Sequence, residues 1–255
     1  MLFSVRRLAA GFAAVMLASH AAAAAEIKVF ATVGVKSVLE ELVPKFEKAT
    51  GNKLNITWST AALLAKRVQD GEQADALILI KGNIETLKKA GKIMPGTDVI
   101  FSQSIFAVGV KAGTPKPDIS TPDALKKALL ASKAVSYTDP ATGGASGVYT
   151  AKQIDKMGIT EQMKGKTKHP PAGGFSGSLL VDGQADIAIN SKPELISVPG
   201  VEVVGPLPGD MAFTVVYDVG VQTGAAQADA AKALVKYLMS PEAQAVFKAK
   251  GFDPA

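Results

Sequence analysis

The first strand-like run of the chain passes directly into a helical pattern, and this junction limits the folds that the chain can adopt. Residues 27–32 are mainly apolar and have the length of a buried strand. Apolar residues then recur at helical spacing over residues 36–49. A strand therefore feeds a helix through the turn Val33-Gly34-Val35, which makes this stretch a βα unit.

Two further strand and helix pairs follow the first one. Strand-like runs cover residues 53–59 and 74–80, and helical patterns cover residues 61–69 and 83–90. Strands that alternate with helices are typical of a parallel sheet. The first part of the chain is therefore predicted to be of the α/β class.

The turn at Gly34 lies where ligands bind in open α/β sheets. Ligands lie beyond the carboxyl ends of the strands, where helix N-termini offer N–H groups and the positive end of a dipole to anions. Because Gly34 has no side chain, it would let a ligand approach the backbone closely. The alternative is that this is one βα turn among several, without a ligand.

The first 25 residues have the features of a cleaved secretory signal. Arg6 and Arg7 precede an apolar run over residues 8–18, and a stretch of small residues ends at Ala25. We therefore expect a periplasmic protein. The mature chain of about 230 residues is long enough for one large or two modest α/β domains.

Charge and cysteine content exclude several classes of protein. The chain has no Cys, which excludes disulfides, thiolate metal sites and a cysteine nucleophile. The formal net charge of +5 falls to +3 without the two arginines of the predicted signal, and the basic residues are not clustered with aromatic residues. Nucleic-acid binding is therefore not expected. The carboxylates are scattered and show no metal-ligand spacing, so we expect no metal and no cofactor.

The middle of the chain carries a second turn that could hold an anion. An extended run over residues 100–110, followed by a polar stretch rich in proline, indicates a crossing into a second domain. A strand predicted at 134–138 then leads through the glycine-rich segment 139–147 into a helix predicted at 148–157. Backbone N–H groups and hydroxyls at this point, Ser146 among them, could cradle an anion.

The last third of the chain indicates a return to the first domain. Residues 175–178 open a short helix, and residues 185–190 form a strand-like run. An extended run over residues 212–221 is interpreted as the return crossing. Two helices are predicted after it, at 227–239 and 241–250.

Four segments in this order resemble one family. They are KVFATVGVKSVLEELVPKFEKATG, LLAKRVQDGEQADALI after a strand end with Ser and Thr, YTDPATGGASGVYTAKQI, and the ending LMSPEAQAVFKAKGF. Together they cover nearly the whole mature chain, which resembles the periplasmic solute-binding proteins related to molybdate-binding proteins. The resemblance implies a class II periplasmic-binding-protein fold: α/β, with two lobes, a ligand cleft between them and two crossing strands as the hinge.

The resemblance also implies where the lobes divide. The crossing strands would lie at Ile105–Val110 and Val215–Val219. Lobe 1 would then comprise residues 26–106 and 215–255, and lobe 2 would comprise residues 107–214.

Three positions that help to hold a tetrahedral oxyanion in that family differ in this chain. The family has a Ser after the first strand, a Ser at the second strand end and a Tyr late in the second lobe. These correspond here to Gly34, Ala61 and Asn190. The acidic residue usual after the third strand corresponds to Lys81. Molybdate is therefore not the expected ligand.

Ser59 and Thr60, at the end of the second strand-like run, have two interpretations. Either hydroxyl could cap the helix predicted at 61–69, or it could face a ligand. If the alignment is shifted by one residue, the two hydroxyls would also partly replace the second Ser of the family.

Lysines follow three of the predicted strand ends. Lys36, Lys81 and Lys192 would together suit a ligand with more than one carboxylate, because each is a compact charged donor. The alternative is that all three are solvated surface lysines, as most lysines are. The hydroxyl partners expected from the second lobe are Ser146, Ser176 and Ser178.

These features predict a periplasmic solute-binding protein that captures a small organic anion, a di- or tricarboxylate rather than molybdate. It would act as a monomer and deliver the anion to an ABC transporter in the membrane. The alternative is a periplasmic isomerase, because the resemblance extends to aconitate isomerase, which shifts a proton along an allylic tricarboxylate. The candidate base is then His169, the one histidine of the mature chain, although a lone loop histidine more often has no catalytic role.

Overall fold

The computed structural model describes residues 24–171 and 174–254 of the chain. Within these ranges it contains nine strands and ten α-helices. The strands are Glu26–Thr32 (β1), Lys53–Ser59 (β2), Ala76–Ile80 (β3), Val99–Lys111 (β4), Val135–Ser136 (β5), Thr167–Lys168 (β6), Ile187–Ser191 (β7), Val201–Pro206 (β8) and Thr214–Val221 (β9). The α-helices are Lys36–Thr50 (α1), Ala61–Gln69 (α2), Lys81–Lys89 (α3), Pro122–Ala131 (α4), Ala145–Lys156 (α5), Thr160–Met163 (α6), Ser178–Val181 (α7), Lys192–Ile196 (α8), Ala228–Leu238 (α9) and Pro241–Ala249 (α10).

Strand β4 connects the two halves of one mixed sheet. The strand order is β2-β1-β3-β9-β4-β7-β5-β6, and β8 also pairs with β4. Residues 99–105 of β4 pair antiparallel with β9, whereas residues 106–111 pair antiparallel with β7 and β8. This exchange of partners between Ile105 and Phe106 separates a first lobe, built on β2, β1, β3 and β9, from a second lobe built on β5 to β8.

The return from the second lobe runs through residues 207–213. Here the Phe106 N–H donates to the Phe213 carbonyl (3.0 Å), and the Leu207 N–H donates to the Phe106 carbonyl (3.1 Å). Residues 215–219, expected to form the second crossing strand, pair with β3 and with the first part of β4, inside the first lobe. The division of the chain at residues 106/107 and 214/215 stays a prediction.

The first lobe has the strand and helix alternation that the sequence predicts. Strand β1 is parallel to both β2 and β3, and α1, α2 and α3 follow these three strands. The apolar face of α1 is buried, and Phe46 on that face packs against Tyr237 of α9 with ring centroids 5.4 Å apart. Burial of each such large side chain contributes roughly 1.5–3 kcal/mol. The C-terminal helices therefore complete the core of the lobe in which the chain starts.

A buried carboxylate fastens the returning chain to the first lobe. Asp75 accepts hydrogen bonds from the backbone N–H of Lys28 in β1 and from that of Gln227 just before α9, both at 2.8 Å. These bonds satisfy one donor in β1 and one at a helix N-terminus. Residues more than 150 positions apart are thereby held on one side of the sheet.

Helix α5 begins earlier than predicted. The sequence indicated a glycine-rich loop up to residue 147 and a helix from residue 148, but the helix starts at Ala145. Gly147 therefore lies in its first turn, where a Cβ would be 2.0 Å from the Thr138 carbonyl oxygen. Because residue 147 is a glycine, the first turn of α5 can pack directly against the segment that follows β5. A larger side chain would not fit between them.

The predicted signal segment, residues 1–25, lies outside the described residues except for its last two positions. Among the helices of the described ranges, none combines the length and the apolar character needed to cross a membrane.

We expect Gly147→Ala to lower the free energy of unfolding by at least about 3 kcal/mol, because the new methyl group would overlap backbone atoms that cannot move aside cheaply. Urea unfolding monitored by circular dichroism measures the change. Gly165→Ala is the matched control, since a Cβ there meets nothing within 4 Å, and it should cost less than about 1 kcal/mol. Equal unfolding midpoints for the two variants would contradict this explanation.

Candidate functional site

A cleft lies between the two lobes, at the carboxyl ends of β1, β3 and β7. Its cavity volume is about 40 Å³, so the two lobes lie close together in this structure. The first lobe lines it with Thr32, Val33, Gly34, Thr60, Ala61, Ile80, Val215 and Tyr217. The shared strand adds Phe106, and the second lobe adds Thr138, Gly144, Ala145, Ser146, Asn190, Ser191 and Glu194.

The N-terminal ends of four helices of nine or more residues border this cleft. Gly34 immediately precedes the N-cap of α1, Ala61 begins α2, Ile80 is the N-cap of α3 and Ala145 begins α5. No side chain caps α1, α3 or α5. Because each helix N-terminus carries unsatisfied N–H groups and a partial positive charge, the backbone makes the cleft favourable for an anion.

Glu194 is the one acidic side chain among the described residues that line the cleft. It is buried, and its Oε1 accepts hydrogen bonds from the side-chain amide of Asn190 and from the backbone N–H of Ser176 (3.4 Å). Burial raises the pKa of Glu194 to about 8, although these two hydrogen bonds lower it. At neutral pH the carboxyl is mainly neutral and can donate a hydrogen bond.

Asn190, at the end of β7, connects the cleft wall to the layer behind it. Its side-chain amide donates to Glu194 and to the Ser176 hydroxyl (2.9 Å), and its side-chain oxygen accepts from the Ser191 N–H (2.7 Å). Ser176 is fully buried, and its carbonyl accepts from the Ser136 hydroxyl (3.0 Å). Because Ser176 supports the wall from behind, it does not line the cleft.

Tyr217 fills the space beside Gly34. A Cβ on Gly34 would lie 2.8 Å from the Tyr217 hydroxyl oxygen, so the glycine is needed for this tyrosine to pack. The hydroxyl lies 3.4 Å from that of Ser104, and burial raises the pKa of Tyr217 to about 12. Gly34 lines the cleft as expected, but it is the tyrosine that explains the missing side chain.

Ser191 lines the cleft, and its hydroxyl is buried. The oxygen is close enough to Tyr217 to lower the pKa of the phenol slightly, yet within the described residues it makes no hydrogen bond of good geometry. A buried hydroxyl without a partner costs free energy. Ser191 is therefore a donor that a bound ligand could satisfy.

Thr60 joins the two lobes across the cleft. Its hydroxyl accepts from the Leu63 N–H (3.3 Å), as an N-cap does, and donates to the carbonyl of Thr142 in the opposite lobe (2.8 Å). The two interpretations of this residue therefore both apply in part, since Thr60 caps α2 and also lines the cleft. Its neighbour Ser59 is half-buried in β2 and does not line it.

The structure does not bring the three predicted lysines into the cleft. Lys36 and Lys81 extend along their own helices toward Glu40 (4.0 Å) and Glu85 (3.7 Å), as i,i+4 ion pairs do. The side chain of Lys192 runs toward the end of α10 instead, where its Cε lies 3.7 Å from the position of a Cβ on Gly251. In the part of the chain that the structure describes, no Lys or Arg lines the cleft.

His169, the candidate base, lies elsewhere. It is exposed after β6, its Nδ1 is 2.9 Å from the Tyr137 carbonyl oxygen, and its ring meets the Tyr137 ring edge-on at 5.0 Å. It is not part of the cleft. The cleft instead holds Gly34, Thr60, Ser146 and Asn190 of the predicted ligand-binding residues, and their role in binding stays a prediction.

Sequence reasoning missed Glu194, Tyr217 and Ser191. Glu194 lies three residues after the end of β7, in the helix α8 that starts at Lys192. An acidic residue this close to a strand end was a sequence signal that could have been used. Tyr217 lies within a mainly apolar strand, next to Asp218, which is a second usable signal. No pattern in the sequence indicates that Tyr217 meets the other two, because Tyr217 comes from the first lobe and Ser191 and Glu194 come from the second.

Comparison with known proteins gives a consistent result. The sequence model for bacterial extracellular solute-binding protein matches residues 27–253. The aconitate isomerase of Pseudomonas sp is 30% identical over 251 residues, which cover 94% of each chain. The molybdate-binding protein ModA of Escherichia coli strain K12 is 27% identical over 231 residues, which cover 89% of this chain and 88% of that one.

A solved structure is similar over nearly its full length. The periplasmic molybdate-binding protein of Azotobacter vinelandii superposes with a TM-score of 0.73 at 17% identity, over 90% of this chain and 99% of that chain. This likeness confirms the predicted fold class, the α/β periplasmic-binding-protein fold with two lobes.

We expect Glu194→Gln to stabilise the protein increasingly as the pH rises. The folded-state pKa of about 8 exceeds the ordinary value of 4.5, so the stability of the neutral form is fully present below about pH 4.5 and is lost as the pH rises through about 8. At about 1.4 kcal/mol per pKa unit, the total loss is on the order of 5 kcal/mol. Glutamine keeps the acceptor oxygen but has no charge to bury.

Urea unfolding at pH 5, 6.5 and 8 measures this difference between Glu194→Gln and the original protein. Glu161→Gln serves as a surface control, since the Glu161 side chain is 78% exposed, and its effect should stay constant with pH. A constant effect of Glu194→Gln would show that the buried carboxyl does not titrate in this range.

We expect Gly34→Ala to lower the free energy of unfolding by roughly 1–3 kcal/mol, because the new methyl group would press on the Tyr217 hydroxyl. Most of that loss should disappear in a Tyr217→Phe background, which removes the oxygen. A double-mutant cycle from urea midpoints measures the coupling. Gly82→Ala is the control, as a Cβ there meets nothing within 4 Å; additive effects of the two cleft substitutions would refute the contact.

Proposed function

Because the chain belongs to the bacterial extracellular solute-binding protein family, we propose that its cleft captures a small organic anion by closing the two lobes around it. The observation that carries this proposal is a cleft lined by neutral donors and bordered by helix N-termini, without a Lys or Arg among the described lining residues. Such a cleft binds an anion through dipoles and hydrogen bonds instead of cations.

The ligand is an organic di- or tricarboxylate rather than molybdate. Two observations support this choice. The three positions at which the resemblance places oxyanion-binding hydroxyls hold Gly34, Ala61 and Asn190, and the hydroxyl beside Gly34 comes from Tyr217 instead. In addition, the relative at 30% identity is named for a tricarboxylate, aconitate, whereas the molybdate-binding relatives are 26% and 27% identical.

The captured anion would pass to an ABC transporter of the membrane, with the protein acting as a monomer in the periplasm. Lobe 1, residues 26–106 and 215–255, and lobe 2, residues 107–214, would move as two bodies about β4 and the return segment. The hydrogen bond between Thr60 and Thr142 across the cleft supports a closed arrangement of the lobes in this structure.

A second candidate function is isomerisation of a bound tricarboxylate. The observation that favours it is the similarity to aconitate isomerase over 94% of both chains. The predicted base, His169, is exposed and outside the cleft, so this function requires a different group.

Isothermal titration of the mature protein against a panel of anions tests the proposed function. Citrate, both aconitates and shorter dicarboxylates should bind, and molybdate, sulfate and phosphate should not; carboxylate binding should also raise the melting temperature by mass action. Binding of molybdate alone would contradict the proposal.

The same titration with the Ser191→Ala variant tests whether the Ser191 hydroxyl binds the ligand. Loss of a hydroxyl that donates to a charged ligand costs about 1.5–3 kcal/mol, so carboxylate affinity should fall by roughly 10- to 100-fold while the melting temperature without ligand stays the same or rises. Ser178→Ala is the control, because Ser178 is half-buried at the start of α7 and outside the cleft. An unchanged affinity in Ser191→Ala would remove this residue from the binding site.

A further inference from the structure

The capture of an anion does not require a carboxyl group at position 194. In its ionised form, the carboxylate of Glu194 would repel an anionic ligand. A side chain that is always neutral would complete the cleft wall without this repulsion. Both donors that hold Glu194, the Asn190 amide and the Ser176 N–H, reach the same atom, Oε1. In the described part of the chain no hydrogen bond is made to Oε2, and the residue lines the cleft.

Donors that could stabilise a developing negative charge line the same cleft as this carboxyl. The hydroxyls of Tyr217 and Ser191 line the same cleft, and that of Ser191 has no well-oriented partner within the described residues. The N-terminal end of α5 borders the cleft at Ala145 and Ser146. Preorganised donors of this kind stabilise charge that forms on a ligand during a reaction.

We propose that Glu194 is a catalytic acid and base that moves a proton between two carbon atoms of an unsaturated di- or tricarboxylate bound in the cleft. This inference rests on the proposed capture of an organic anion and supplies the group that the second candidate function lacks. Glu194 is held at one oxygen, and within the described residues its other oxygen makes no hydrogen bond, which leaves that oxygen available for proton transfer to a ligand.

The proposed reaction needs no proton carrier other than Glu194. Its carboxylate form takes a proton from the methylene carbon next to a ligand carboxylate, and the electron pair of that C–H bond forms a new double bond to the central carbon. The old double bond opens toward its far carbon, with the charge shared by the neighbouring carboxylate. The neutral Glu194 then returns the proton to that far carbon, so no oxidant, reductant or second reactant is consumed.

The pH dependence follows from the groups that face Glu194. Asn190 and Ser176 are neutral, and Tyr217 of β9 is the titratable side chain whose charge would act on it among the described residues. With a pKa of about 12, Tyr217 stays protonated. Since the reaction starts from the carboxylate and the pKa of Glu194 is about 8, kcat/KM should rise with pH up to about 8 and then level off.

The test uses the mature protein, Glu194→Gln, Glu194→Asp and His169→Ala. Interconversion of trans- and cis-aconitate is followed by absorbance and by NMR, and binding of both by titration calorimetry. Glu194→Gln should lower kcat by at least about 100-fold, the usual contribution of acid–base catalysis, and change Kd by less than about tenfold. Glu194→Asp should retain part of the turnover, and His169→Ala all of it.

Each outcome is decisive. Turnover that persists at the original rate in Glu194→Gln overturns the assignment. Binding of aconitate without turnover by the original protein overturns the proton transfer and leaves the proposed capture intact. If the original protein binds no carboxylate at all, the proposed function itself fails. Retained aconitate binding in Glu194→Gln would exclude misfolding as the cause of its lost turnover.

Discussion

The pairing of one strand with two sets of partners is the constraint on which this structure depends. Strand β4 pairs with β9 up to Ile105 and with β7 and β8 from Phe106 onward, so this one strand belongs to the sheet of both lobes. The exchange places Phe106 in the cleft, where it also stacks on Phe213 of the return segment with ring centroids 5.1 Å apart. The strand that the two lobes share therefore also supplies part of the floor of the cleft.

The electrostatics of the cleft follow from the parallel strands. Parallel strands that are followed by helices bring the helix N-termini to one edge of the sheet, and that edge faces the opposite lobe. The backbone thus supplies the attraction for an anion, and side chains are free to be neutral. A buried carboxyl such as Glu194 can exist in this setting because burial keeps it mainly protonated at neutral pH.

The wall of the cleft and the layer behind it work as one unit. Asn190 holds Glu194 and Ser176 at fixed positions on the second lobe, and Tyr217 fills the space that Gly34 leaves on the first lobe. In the resemblance, hydroxyls at the positions of Gly34 and Ala61 would hold a tetrahedral oxyanion. Here the hydroxyl beside Gly34 belongs to Tyr217 of β9, on a fold of the same class.

The amino-acid sequence by itself determined the strand and helix alternation of the first lobe and the strand ends at which the cleft forms, because local periodicity and turn chemistry decide these features. The family followed from the resemblance of four segments. The sequence also identified Gly34, Thr60, Ser146 and Asn190 at those ends. Only the tertiary structure decided which residues near those strand ends line the cleft and that Lys36, Lys81 and Lys192 do not, since the direction of a side chain depends on its neighbours. It alone brought Glu194 and Tyr217 together, because these residues meet only when the two lobes fold against each other.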